Sequence, residues 1–446
     1  MSVTTSAYQG TCTAFVVFVV WLSAHMSTAT LSNFGVWPGI LEERVKPLWC
    51  VYDNRVDERP WRFLPRDIPT AQCTSVVYTY LGLSPGGRNL TSYKPNFDFG
   101  PAGLSAVSAL KRQHERPVRL RALLAVGGPD TDSRLFEHPV EGTEGARSAL
   151  MANAEHWLRV FDFDGLLVHI DRPESFTTSD YTINEFVFAM YEFMKTRDKF
   201  FSVILPADKD RRSAYFSPYA YAQKLEAFVV WSHDLVVHPR EPTCPSPLNT
   251  KHKHHGPKVL SLAELVDSVG ASYATEEEAH LVMSRMMLTF SLAGFYFDLE
   301  QPNPRHRGHP HPPLPREVML ESASYVAYHQ ICGDKQWNTT YNAVTGCVEM
   351  IGENGWISYP GRPRRELLRR VFCWVRLSRH PLALRERNCR PTLLRKSRNH
   401  SLAFSADGLS KVAGAMLFDL DMDDYDGVCG KNHALTKTFS NLLNMS

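Results

Sequence analysis

Hydrophobic positions along the chain fall into two alternating rhythms. Short apolar runs, rich in β-branched and aromatic residues, recur as LWCVYD (48–53), SVVYTYLG (75–82), RLRALLAVGG (119–128), DGLLVHID (164–171), FFSVILPA (200–207), AFVVWSHD (227–234), MLTFSLAG (287–294) and AGAMLFDLD (413–421). Between most of them lie longer stretches with helical spacing: 104–113, 145–161, 183–195 and 276–286. Strand-like runs separated by helices predict a parallel β/α architecture, and eight such strands can close into a barrel. An open doubly wound sheet shares the alternation and stands as the alternative at this level.

The rhythm breaks twice. Residues 298–360 are rich in Pro, His, Asn and Gly with short strand-like pieces, and residues 361–400 are Arg-rich. The expected organisation is therefore an α/β chain forming a (β/α)8 TIM barrel. Strands one to seven lie within 30–297, a small α+β domain at 298–360 is inserted between the seventh and eighth strands, and the last strand and a C-terminal helix lie within 401–446. The 361–400 stretch reads as an unstructured insert or a wrongly joined exon, with a basic tether as the functional alternative.

Composition changes this picture in one respect. The formal charge of the 446-residue chain is +2, yet residues 361–400 hold twelve Arg and one Lys against two acids. That is a net of +11, which leaves the remainder at −9. An acidic body argues against a nucleic-acid partner. The run AFVVFVVWLSA (14–24) falls short of the about 20 residues that span a bilayer. With Ser27-Thr28-Ala29 as small residues for cleavage, residues 1–29 read as a signal peptide; an uncleaved anchor is the alternative. The expected mature protein is secreted, extracellular and without a membrane span. Nine cysteines and sequons at Asn89, Asn338, Asn399 and Asn444 suit a disulfide-bonded glycoprotein, Asn444 being the least favourable acceptor.

The fourth run carries the candidate chemistry. Alternate residues of a strand share a face, so Leu167, His169 and Asp171 point into the barrel while Leu166, Val168 and Ile170 point to the helices. Asp171 ends the run on the side where barrel enzymes place their active sites. Other clusters carry less. The His-rich pieces KHKHHG (251–256) and RHRGHPHPP (305–313) read as exposed loops, and LDMDDYDG (420–427) lacks the ligand spacing of an EF-hand. No metal site and no cofactor is expected.

Phe163 to Pro173, FDGLLVHIDRP, resembles the Phe-Asp-Gly-Leu-Asp-x-Asp-x-Glu-Tyr-Pro signature of glycoside hydrolase family 18, the chitinases and chitinase-like proteins. CTSVVYTYLGL (73–83), LLAVGG (123–128), YVAYHQIC, GWISY and GAMLFDLDMDDYDGVCG (414–430) are similar to further family segments, in the same order. The resemblance implies the barrel, a ligand groove at the C-terminal ends of its strands, and disulfides Cys50–Cys73 and Cys332–Cys429. Partners of Cys244, Cys347, Cys373 and Cys389 stay open. It also implies that Asp171 stands at the position of the general acid and one methylene short of it, with about 1.5 Å less reach. Leu167 and His169 replace supporting aspartates. His233 replaces a tyrosine that holds the substrate acetamide, Asp234 is retained, and Phe418 and Pro129 replace tryptophans. Asp164, His169, His233, Asp234 and Phe418 are the implied substrate contacts. The expected protein is a catalytically silent pseudoenzyme that binds chitin or N-acetylglucosamine oligosaccharides. A weak chitinase using Asp171 and a signalling or immune scaffold with a protein receptor are the alternatives.

Overall fold

A strand that is apolar on both faces must be covered on both, and the strand-like runs of this chain are of that kind. In the computed structural model the first of them are β1 (Leu48–Asp53), β2 (Ser75–Leu83), the two-residue β3 (Leu90–Thr91), β4 (Arg121–Gly127), β5 (Gly165–His169), β6 (Phe200–Pro206), β7 (Phe228–Trp231) and β8 (Met286–Ser291). An inserted sheet follows, made of β9 (Gly294–Asp298), β10 (Tyr325–Val326), β11 (Asn338–Asn342), β12 (Cys347–Ile351) and β13 (Gly355–Pro360). β14 (Gly414–Phe418) then returns to the first sheet. The structure describes residues 46–112, 119–176, 180–235, 244–249, 261–298, 325–332, 336–342, 344–352, 355–360 and 412–444.

The first sheet is a closed parallel barrel. Its order is β1-β14-β8-β7-β6-β5-β4-β2, and β1 pairs with β2 to close the ring. β3 adds an antiparallel edge to β2. The doubly wound alternative is excluded by that closure. Leu166, Val168 and Ile170 join the layer between strands and outer helices, whereas Leu167 lies inside with Ala125, Ile204, Val229 and Met287. The alternation read from the sequence holds on β5. On the helix Ala146–Val160, Leu150, Ala154 and Leu158 are buried at four-residue steps, the stripe that packs a helix on a sheet.

Between the seventh and eighth barrel strands, β8 and β14, sits the expected insertion, an antiparallel sheet of order β10-β9-β13-β12-β11. It starts at Gly294, four residues before the anticipated 298, because the chain leaves β8 and enters β9 after two residues. Tyr296, Trp337, Met350, Ile357 and Tyr359 form its own core.

Disulfides Cys50–Cys73 and Cys332–Cys429 are present as the resemblance implied, and a third joins Cys244 to Cys347 across 103 residues. Cys373, Cys389 and the sequon at Asn399 lie outside the described residues, as do residues 1–29, both His-rich pieces and the 361–400 stretch. Asn89 and Asn338 are exposed. Among the described residues, no helix is long and apolar enough to cross a membrane.

The acidic run after β14 has structural work. Asp423 accepts the backbone N–H groups of Leu435 and Thr436 and the Thr436 hydroxyl, at 2.9–3.1 Å. It thereby satisfies free donors at the start of the helix Ala434–Asn444.

Candidate functional site

At the C-terminal ends of β5 and β7 the inward side chains are His169 and Trp231, followed by His233. The His169 and Trp231 ring centroids lie 4.8 Å apart, and those of Trp231 and His233 lie 4.2 Å apart. Phe418, at the end of β14, closes the cluster at 5.0 Å from Trp231 and 4.7 Å from His233. Tyr80 covers the other side of His169 at 5.7 Å. Two glycines permit this approach. Gly127 and Gly128 have φ of +98° and +84°, which favours glycine. A Cβ on Gly128 would lie 2.8 Å from the Tyr80 ring, and one on Gly127 would strike the His169 carbonyl.

Hydrogen bonds orient both imidazoles. Burial, with His233 alongside, pushes His169 down to about 3, so the ring is neutral at physiological pH. Burial also holds the Tyr80 phenol well above its ordinary value, so it stays protonated. The Tyr80 hydroxyl lies 3.2 Å from His169 Nδ1. With that hydroxyl donating, the His169 proton sits on Nε2, which faces Asp171 Oδ1 at 3.9 Å. A hydroxyl also holds the His233 ring. The Thr289 hydroxyl accepts the Ser232 N–H at 2.6 Å and donates to His233 Nδ1 at 2.9 Å, which turns Nε2 toward Asp234 Oδ2 at 3.6 Å. Both carboxylates are near an imidazole N–H and beyond hydrogen-bonding reach of it.

These carboxylates are partly open, with side-chain exposures of 29% for Asp171 and 38% for Asp234. Burial raises the Asp171 carboxyl, opposed by Arg172 and Arg211. Arg172, 72% exposed, stands 3.5 Å from it. Asp234 accepts a long bond of 3.4 Å from the Tyr325 hydroxyl, which the inserted sheet supplies.

A buried ion cluster borders the site. Arg59, with 6% of its side chain exposed, contacts Asp421 at 2.6 Å and Asp419 at 3.0 Å. Trp61 donates to Asp421 at 2.9 Å and Ser291 to Asp419 at 2.5 Å. Burial pushes Asp419 up, but Arg59 and the Ser291 hydroxyl outweigh it and hold that carboxyl below its usual range. A concavity of about 330 Å³ lies against the Arg59 turn, lined by Asp57, Trp61, Arg62, Phe63 and Phe97, and the ring cluster does not contribute to it.

The structure thus brings together His169, Asp171, His233, Asp234 and Phe418. It places Asp164 elsewhere. That residue precedes β5, at the N-terminal end of the barrel and about 20 Å along the strand from Asp171. Its Oδ2 accepts the Ala122 N–H at 2.9 Å, and its Oδ1 meets Lys111 at 3.1 Å and Arg119 at 3.2 Å. The implied substrate contact at Asp164 is therefore corrected to a lock between β4 and β5. Asp164→Ala is expected to lower stability by about 2 kcal/mol and to leave the affinity of any ligand at the rim unchanged. Urea unfolding beside a ligand titration of the same variant checks both halves.

Phe418 is corrected as well. Its ring is 4% exposed beneath Trp231 and His233, so it offers no open face for a sugar. Trp231 and Tyr80 are the partly exposed aromatics around His169. Sequence reading passed over Trp231 and Tyr80. The signal for Trp231 was its position two residues before His233, which puts both on one face.

The family model of glycosyl hydrolases family 18 matches residues 48–362. An endochitinase of Manduca sexta is 22% identical over 445 residues, covering 92% of this chain and 69% of its own. Among solved structures, catalytic domain 2 of the Ostrinia furnacalis Group II chitinase superposes with a TM-score of 0.69 at 17% identity, over 90% of this chain and 97% of that one. Human YKL-39, described as a pseudo-chitinase with retained chitooligosaccharide binding properties, gives 0.64 at 17% identity, over 89% of this chain and 99% of that one. At such identities the solved structures speak for the fold.

Proposed function

The chain belongs to glycosyl hydrolases family 18, and on that premise we propose that it is a secreted chitinase-like protein that binds chito-oligosaccharides at the barrel rim without cleaving them. The carrying observation is the ring cluster of His169, Trp231, His233 and Phe418, packed at 4.2–5.0 Å. Hydrolysis in this family relies on the substrate acetamide attacking the anomeric carbon while a carboxylate holds it and a carboxylic acid protonates the leaving oxygen. At the holding position stands a neutral imidazole.

Asp171 retains a raised carboxyl, as a general acid needs, and this favours the weak-chitinase alternative. It is nevertheless short by one methylene, and a displacement on the order of 1 Å costs roughly 10²-fold. Without the supporting carboxylates a further factor of about 10²–10⁴ goes with the acid–base step. Binding draws support from the partly open Trp231, Asp171 and Asp234, and from YKL-39, the structural relative described as retaining chitooligosaccharide binding. Secretion draws support from the apolar run at 14–24, three disulfides and exposed sequons at Asn89 and Asn338.

Calorimetric titration with chitohexaose, followed by mass spectrometry of the same sample, tests the reading. The expected result is heat of binding with the hexamer intact. Shorter oligomers that vanish in Asp171→Ala would establish the weak chitinase instead. Neither heat nor products would leave a scaffold for a protein receptor.

A further inference from the structure

Asp171 and Asp234 flank the ring cluster, and among the described residues their acceptor capacity is largely unused. Each faces an imidazole Nε2 at 3.9 and 3.6 Å, too far for a hydrogen bond. Among the described residues, Asp171 otherwise has Arg172 at 3.5 Å, on a side chain that points to solvent, and Asp234 has the long Tyr325 contact. Three described cations near the rim are committed. Arg55 is held by Asp53 at 2.6 Å, Arg59 by Asp419 and Asp421, and Arg211 by Glu174 at 2.6 Å.

Between the two imidazoles that face these carboxylates lies Trp231, 4.8 Å from His169 and 4.2 Å from His233, the aromatic ring best suited to a cation. The inward face holds a further open valence. The Thr79 hydroxyl, on β2, is fully buried and has no hydrogen-bond partner. It follows Val77, which pairs with Leu123, at a two-residue step, and so lies near the layer of Ala125 and Leu167, beneath His169.

A neutral acetamide has little to gain here, because the buried surface it would meet is already filled by the rings of Phe418 and His233. A primary ammonium gains a charge-assisted contact to each carboxylate it reaches and a cation–π contact to Trp231. We propose that the rim selects amino sugars with a free 2-amino group, so that its preferred ligand is a β-1,4-linked glucosamine oligomer, a deacetylated chitin fragment. This rests on the reading of the rim as a chito-oligosaccharide site and sharpens its ligand class.

The test compares glucosamine hexamer with N-acetylglucosamine hexamer by calorimetry at about pH 6, below the roughly 7.7 of a typical α-amino group. The glucosamine hexamer is expected to bind about tenfold tighter, an advantage that shrinks as salt is raised. In the double variant Asp171→Asn, Asp234→Asn the ratio of the two affinities is expected to fall to about one, with urea unfolding confirming that the variant is folded. Binding of both hexamers with equal affinity, or with the acetylated one preferred, overturns this inference and leaves the rim as a chito-oligosaccharide site. A glucosamine preference that survives the double variant also overturns it. Binding of neither hexamer removes the underlying reading, and the inference with it.

Discussion

Leu167→Asp, the substitution that would restore a family carboxylate, is expected to unfold the barrel before it can assist catalysis. Leu167 is fully buried and packs inside the barrel with Ala125, Ile204, Val229 and Met287. Losing a buried leucine costs about 2–5 kcal/mol. The incoming carboxylate must either ionise without a partner, at several kcal/mol, or take up a proton and still bury an unsatisfied polar group. Together these approach the roughly 5–15 kcal/mol that holds a typical protein folded. The measurement is secreted yield and urea midpoint for Leu167→Asp beside Leu167→Ala, which isolates the cavity from the charge. The triple variant Leu167→Asp, His169→Asp, Asp171→Glu is expected to share the loss. If it were secreted normally and cleaved chitohexaose, the account of a filled rim would fail.

Arg59→Ala is expected to cost about 3–5 kcal/mol, because it leaves two buried carboxylates without their cation. Asp421 loses its 2.6 Å partner and Asp419 its 3.0 Å partner, while Trp61 and Ser291 keep their contacts. The pH dependence of Asp419 has a definite sign, and Asp421, which burial raises, opposes it in the wild type. In the wild type Asp419 is held below its ordinary value, so its contribution is present above the unfolded value of about 3.9 and is lost as pH falls through the depressed one. Without Arg59 that carboxyl rises, so the penalty is full at neutral pH and shrinks on acidification. Urea unfolding of Arg59→Ala, Asp421→Asn and the double variant measures the coupling. Additive losses would show that the cluster contributes little.

How much of this could be read beforehand depends on the range of each signal. The eight barrel strands were visible because an apolar run between helices is a local pattern, and the inward Leu167 and His169 followed from the two-residue period of a strand. Cys50–Cys73 and Cys332–Cys429 came through resemblance. Nothing in the spacing selected Cys347 as the partner of Cys244. Asp164 beside Gly165 was legible as a turn at the opposite end of the run from Asp171, and only the resemblance drew it among the substrate contacts. Trp231 inside an apolar run looks like ordinary core, and its place over His169 and Phe418 exists only once β5, β7 and β14 are assembled. Arg59 was invisible for the same reason, since its partners lie 360 and 362 positions away in the chain.

The loops closed by Cys244–Cys347 and Cys332–Cys429 overlap. A protease that makes one cut anywhere between residues 245 and 428 therefore leaves both pieces covalently joined. The twelve arginines within 361–400 offer trypsin-like enzymes many places for that cut. A nicked molecule of this kind migrates as the intact chain until a reductant is added, so such a cut leaves its apparent mass unchanged.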